Sequence, residues 1–196
     1  MPQLHLAQES RADALLSRDP FALLVGMMLD QQIPMERAFA GPQVLAERLG
    51  SPDRLDPKAV ATLDADELAA AMTGPPAVHR FPGSMAGRVH SLARAIVDGY
   101  GGDTDSLWNT AGDGTELLHR LEELPGFGRA KAQIFLALLG KQLGVRPEGW
   151  REAAGPYGED GSFRSVADVR DAASLARVRA YKQEQKKAGS GATKRR

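Results

Sequence analysis

From Pro20 to Gly140 the apolar residues recur every three or four positions and nowhere alternate over a sustained run, which confines this chain to helices. Asp19-Pro20 is a cap followed by a first-turn proline, and Phe21, Leu24, Val25, Met28 and Leu29 continue at helical spacing towards Pro34. The spacing predicts a first helix over about 20–32 and a second over 35–49 that is interrupted near Gly41-Pro42. Asp56-Pro57 and Asp64 each open a short helix, and the proline pair at 75–76 closes the second. Further helices are expected over about 84–98 and 115–124. From Gly140 to Phe163 the chain holds six glycines and two prolines, enough to forbid one long helix but not a short one over 148–154. A final amphipathic helix is expected in SVADVRDAASLARVRAYKQEQKK, and the linker-like GSGATKRR after it is expected to be disordered. The reading is therefore an all-α domain over 1–188 with a basic tail over 189–196, and no internal repeat at a fixed period.

Composition narrows the chemistry. The chain has 196 residues, 42% of them apolar, which suits one globular domain or two small lobes on a shared core. There is no cysteine, which removes disulfides, thiolate zinc sites, iron–sulfur clusters and thiol nucleophiles together. The first residues lack a basic-then-apolar leader, and no apolar run approaches membrane-spanning length, so a cytoplasmic protein without membrane contact is expected. The net charge of zero conceals an asymmetry: residues 177–196 carry eight Lys or Arg and one acid, leaving 17 basic and 24 acidic groups in the remainder. Such a basic end either follows a polyanion or is a solvated helix end with a flexible tail.

The stretch LPGFGRAKAQIFLALLG, residues 124–140, is the most informative one. Pro125 fixes the exit from one helix, and Gly126 and Gly128 can take positive φ and admit a close approach to the main chain. The amides at the start of the following helix then point outward, which makes an anion site from backbone. Phe127 either packs inward or wedges at the surface. Arg129 and Lys131 stand beside the turn as candidate phosphate contacts. An ordinary helical hairpin with a glycine cap would read the same way over these nine residues.

The hairpin, over 124–132, resembles the helix-hairpin-helix element L-P-G-x-G-x-x-x-A that holds the DNA backbone without regard to sequence. The region from about Pro20 to Trp150 is similar to the base-excision DNA glycosylases of the helix-hairpin-helix (HhH-GPD) superfamily, the relatives of endonuclease III and the adenine glycosylases. Their first core helix ends in a segment like L-L-S-x-Q, where this chain has Leu29-Asp30-Gln31-Gln32. The resemblance makes Gln32 the residue that fills the duplex when a base is flipped out; a glutamine capping a helix end stopped by Pro34 is the plainer alternative. It implies a two-lobed helical fold, double-stranded DNA carrying a damaged or mispaired base as partner, and a monomer, associated with the nucleoid if the source is bacterial.

Two departures limit the chemistry carried over. Family members that also cut the strand use a lysine in L-P-G-V-G-R-K-T-A, and its position falls here on Ala130. Lys131 is one residue on, about 100° around the helix, so a hydrolase without lyase activity is implied. The family's catalytic aspartate, eighteen positions beyond that lysine, falls on Glu148 in the context RPEGWR instead of V-D-T-H-V. Glu148 is thus either the catalytic carboxylate that supports the charge developing at C1′, or a solvated acid at a helix start. Asp160 and Glu159, in the glycine-rich loop, are weaker candidates. Trp150 and Tyr157 either stack on an extruded base or anchor the glycine-rich segment, with Phe81 and Met85 similar cases. His79, His90 and His119 lack metal-ligand spacing and are expected at or near the surface, so no metal is expected from protein side chains. The family's iron–sulfur cluster is excluded by composition, while a monovalent cation on the hairpin carbonyls is compatible with Pro125 to Gly128.

Overall fold

The computed structural model describes residues 3–193, and among them there are eleven α-helices and no strand. Helix α1 (Ser10–Arg18) starts at Glu9, whose carboxylate accepts from the Arg11 and Ala12 amides at 3.0 and 2.8 Å. Asp19 both ends α1 and opens α2 (Pro20–Leu29): one oxygen takes the Ala22 amide and the other the Leu55 amide at 2.6 Å. Every residue of α2 from Phe21 to Leu29 is buried, as expected of a helix apolar on all its faces, and α2 is the central rod of the molecule.

The sequence places the end of α2 at about Gln32, but the helix stops at Leu29. Asp30 already has ψ 69, the Gln31 amide turns back to the Leu29 carbonyl, and Gln32 is left-handed with φ 58. Pro34, which disfavours helix in the residue before it, sets this exit two residues beyond the bend. The interruption expected at Gly41-Pro42 is absent: α3 (Met35–Arg48) runs through both. A Cβ on Gly41 would stand 2.7 Å from Leu29 Cδ1 and 2.9 Å from Val78 Cγ1, so the helix presses on its neighbours there. That close packing offsets the hydrogen bond Pro42 removes, a loss of about 3 kcal/mol in an unsupported helix.

Short helices α4 (Pro57–Thr62) and α5 (Ala65–Thr73) lie on α6 (Pro82–Tyr100), which buries Met85, Val89, Leu92 and Ile96 and ends at Gly101 in the left-handed conformation. Helix α7 (Ser106–Asn109) leads to α8 (Gly114–Glu122), where Asp113 accepts from the Glu116 amide and Glu116 reaches back to the Gly112 amide. Helix α9 (Arg129–Leu138) follows the hairpin turn and passes into a π-helical turn over Leu139–Leu143. Helices α1–α6 pack chiefly on one another, as do α7–α9 with α10 (Trp150–Ala153); α11 (Ala172–Thr193) packs on the 3-10 turn over Val166–Asp168, which lies on α9, and one continuous core runs through both groups.

The C-terminal region departs from the single helix predicted for it. A 3-10 turn over Val166–Asp168 is capped by Ser165, and α11 begins only at Ala172 after Asp171, whose carboxylate accepts from the Ser174 amide. Helix α11 continues to Thr193, beyond the boundary drawn at Gly189, and the last three residues of the expected tail lie outside the described residues. Asp168 and Lys141 form a buried ion pair at 2.6 Å, with both side chains about one-twentieth exposed. No described helix is long and apolar enough to cross a membrane.

Candidate nucleic-acid interface

The hairpin turn is an exposed stretch of backbone on a buried foundation. Leu124 and Phe127 are buried, and Phe127 meets Phe135 edge to face at a centroid distance of 6.0 Å. Phe127 therefore packs inward, and its expected contact with DNA is corrected to a core role. Gly126 takes φ 81 and is exposed. Gly128 has the ordinary extended φ of −75, so only one of the two glycines is needed for its backbone angle. A Cβ on Gly128 would meet nothing within 4 Å, which leaves a clear approach to the first amides of α9, and no side chain caps them. Pro125 is half-buried, and Arg129 is two-thirds exposed while paired with Glu122 at 3.0 Å.

Lys131 does not face outward as a phosphate contact would. Its ammonium donates to the Met27 and Met28 carbonyls at 2.8 and 3.1 Å, at the end of α2. Those carbonyls lack helical partners and form the negative pole of the helix, which is where a lysine is most useful. Burial nevertheless holds the Lys131 amine down to about 8, with the charges of Asp30 and Arg88 acting in opposite directions. Gln31 also donates to the Met28 carbonyl, at 2.7 Å, and accepts from Arg88 at 3.1 Å.

The segment after α2 is locked from a second side by His79. This histidine is fully buried, deeper than the surface or half-buried position expected of it; its Nε2–H donates to the Gln31 carbonyl at 2.9 Å and its Nδ1 accepts the Phe81 amide at 3.0 Å. The two bonds fix one tautomer and join the Gln31 segment to the start of α6. At that junction Phe81 is 44% exposed, the one large apolar side chain so exposed among the described residues, with Arg80 stacked 5.3 Å from its ring centre. Gln32, the next residue after Gln31, is exposed, and its backbone is left-handed.

A cleft of about 690 Å³ opens between this segment and α11. Asp30, Gln31 and Gln32 line one wall, and Arg179, Lys182 and Lys186 of α11 line the other. The basic C-terminal helix is thus a wall of the cleft, fastened by an ion pair between Arg179 and Glu36. Burial raises the Asp30 carboxyl above the usual carboxylate range, while Lys182 and Lys131 pull it back down.

The other sequence candidates lie elsewhere. Glu148 is exposed, and its carbonyl accepts the Gly114 amide at 2.7 Å, at the start of α8. The hairpin turn is at the opposite end of that nine-residue helix, roughly 13 Å away along its axis. Glu148 is therefore not brought together with Gln32, Gly126 or Gly128. Trp150 is buried over Gly140, where a Cβ would come within 2.4 Å of its ring, and Arg151 stacks on it at 4.6 Å. This wedge between α8 and α9 is a core anchor, which corrects the base-stacking role expected for Trp150. Tyr157 is half-buried against the same core. Asp160 and Glu159 are paired with Arg151 and Arg164, each at 2.8 Å. Among the described residues no group of three or more His, Asp or Glu side chains could hold a metal ion.

Asp30, His79 and Lys182 are site residues that the sequence does not mark as such. Asp30 was legible only as the odd acid in an otherwise apolar helix end; His79 and Lys182 carry no local signal. No curated protein sequence matches the chain. A family model does, that of the HhH-GPD superfamily base excision DNA repair proteins, over residues 25–193, which takes in the second half of α2, the hairpin and the whole of the α11 wall. The all-α architecture, the exposed two-glycine turn and this match agree, and the chain belongs to the HhH-GPD superfamily of base excision DNA repair proteins.

Proposed function

We propose that this protein excises a damaged or mispaired base from double-stranded DNA by hydrolysing its N-glycosidic bond, without cutting the strand. The observation that carries this reading is the grouping of three elements at one end of the molecule: the exposed turn at Gly126 and Gly128, the left-handed Gln32, and the cationic wall of α11. A duplex held by its phosphates on the turn and on Lys182 and Lys186 would bring its stack against Gln32 and Phe81. An outward amide and an exposed apolar ring are what replaces a base that has left the stack. Extrusion costs a few kcal/mol, least for a mispaired or damaged base, which favours such bases.

The monofunctional character rests on Ala130, exposed at the position of the family's lysine, and on Lys131, whose ammonium is engaged by the α2 carbonyls. The carbonyls of Pro125, Gly126 and Phe127 accept no hydrogen bond among the described residues, so they are available to a monovalent cation that also meets a DNA phosphate. The protein acts as a monomer on one lesion.

A second reading is a DNA-binding module of the same fold without catalysis. The remoteness of Glu148 from the hairpin turn favours it. Incubation with duplexes bearing alkylated, oxidised, deaminated and mismatched bases, analysed with and without hot alkali, separates the readings. Strand breaks seen only after alkali support hydrolysis without lyase action. Breaks without alkali contradict the role given to Ala130, and salt-dependent binding with no base release supports the module.

A further inference from the structure

We infer that Asp30 is the catalytic carboxylate of this protein, taking the part that the family's pattern would give to an acid after the hairpin. The inference rests on the glycosylase reading above and deepens it.

The buried and half-buried acids among the described residues separate into two kinds. Asp13 accepts the Ala7 amide at 2.7 Å, Asp19 accepts two amides, and Asp168 holds Lys141 and the Arg164 amide. Each has an evident structural task. The Asp30 carboxylate, by contrast, has no hydrogen bond among the described residues, although its main-chain amide is bonded to the Gly26 carbonyl. It sits at the C-terminus of α2, where the helix dipole opposes a negative charge, and is half-buried. Dipole, desolvation and the lack of donors all act against an acid here. A residue retained for stability would be an asparagine or a lysine.

What Asp30 does have is position. It lines the cleft beside Gln32, opposite Lys182, and Lys131 approaches from behind at the α2 carbonyls. Gly126 of the hairpin turn lies over Met28, with a Cβ there 3.4 Å from Met28 Cε, so the phosphate-holding turn and Asp30 share the same helix end. An extruded nucleotide with its phosphate at the turn would present its sugar to this wall of the cleft. The carboxylate then stabilises positive charge at C1′ as the C1′–N bond breaks and the base departs with the bonding pair. Water adds its oxygen to C1′ and passes a proton to Asp30. Asp30 releases it to solvent, from which the departing base takes the proton it needs. Burial raises the Asp30 carboxyl, and the charges of Lys182 and Lys131 act in the opposite direction, towards the ionised form.

The test compares Asp30→Asn and Glu148→Gln with the unaltered chain in single-turnover base release, duplex binding and thermal melting. Asp30→Asn is expected to slow release at least about 100-fold. It should leave duplex affinity unchanged or tighter and raise the melting temperature by about 2–4 °C, since it removes an unfavourable buried charge. Glu148→Gln is expected to release base at the original rate. Normal release by Asp30→Asn, with release lost in Glu148→Gln, overturns the assignment and leaves the glycosylase reading standing. A lower melting temperature or a loss of duplex affinity in Asp30→Asn also overturns it, because the residue is then structural or a binding group. Absence of base release by the unaltered chain on every lesion overturns the glycosylase reading, and the assignment with it.

Discussion

The two ends of the α8–α9 hairpin are built from similar residue types and do different work. At the closed end, Gly126 and Gly128 are exposed, and nothing in the protein fills the space a Cβ at Gly128 would take. At the open end, Gly114 and Gly140 are buried, and a Cβ on either would overlap the backbone or the ring of Trp150. Glycine serves a partner outside the chain in the first case and a partner inside it in the second. The acids follow the same division: Glu148 at the open, packed end is a solvated residue whose carbonyl does the structural work, whereas Asp30 near the closed end is a carboxylate without a structural partner.

The contrast is broken most forcefully at the packed end. Trp150→Ala should cost about 3–5 kcal/mol in urea unfolding, the range for a large aromatic removed from a core, and any folded fraction should bind DNA as before. A comparable loss of DNA affinity at constant stability would move Trp150 back into the interface. At the turn the expected order is reversed. Gly128→Ala should leave the urea midpoint within the error of measurement and weaken duplex binding about tenfold, because its methyl group stands in front of the α9 amides. Gly126→Ala should do both, losing about 1–2 kcal/mol of stability to the left-handed backbone as well. A smaller effect is expected on the α11 wall: Lys182→Ala should lower the slope of log affinity against log salt by about one unit, uniformly across DNA sequences.

A last expectation concerns Lys131 and pH. Its folded value of about 8 lies below the ordinary 10.5, so the unfolded chain holds a proton that the folded chain releases between these values. The resulting cost to stability is fully present below about pH 8 and disappears as the pH rises to 10.5. Stability from this group should therefore rise with pH across that window, and the rise should be missing in Lys131→Met when denaturant midpoints are compared at pH 7.5 to 10.5. An unchanged pH profile in the variant would place the amine in solvent and detach it from the end of α2.

Much of the helix inventory was readable because caps and periodicity are local. Asp19-Pro20, Asp56-Pro57 and Asp64 start helices as their side chains require, and Asp113 does so one residue before the predicted start. Helix α1 was overlooked since its start is capped by a glutamate, and glutamate is a weak signal in that role. The break expected at Gly41-Pro42 failed because the energy that holds α3 together there comes from Leu29 and Val78, residues far off in sequence. Counting eighteen positions from Ala130 reached Glu148, but the π-helical turn and the path over Trp150 carry that position along the hairpin to its open end. Register in a motif does not survive a change in the course of the chain.

By itself the sequence determined that this protein is helical, that a two-glycine turn joins two of its helices, and that it resembles the DNA glycosylases, since each follows from residues within one or two turns of one another. Only the tertiary structure decided which end of that hairpin lies against the end of α2, that the basic C-terminal helix walls a cleft there, and that Asp30 lines it. Residues 30, 131 and 182 meet through the packing of α2, α9 and α11, and no periodicity along the chain encodes a distance between helices.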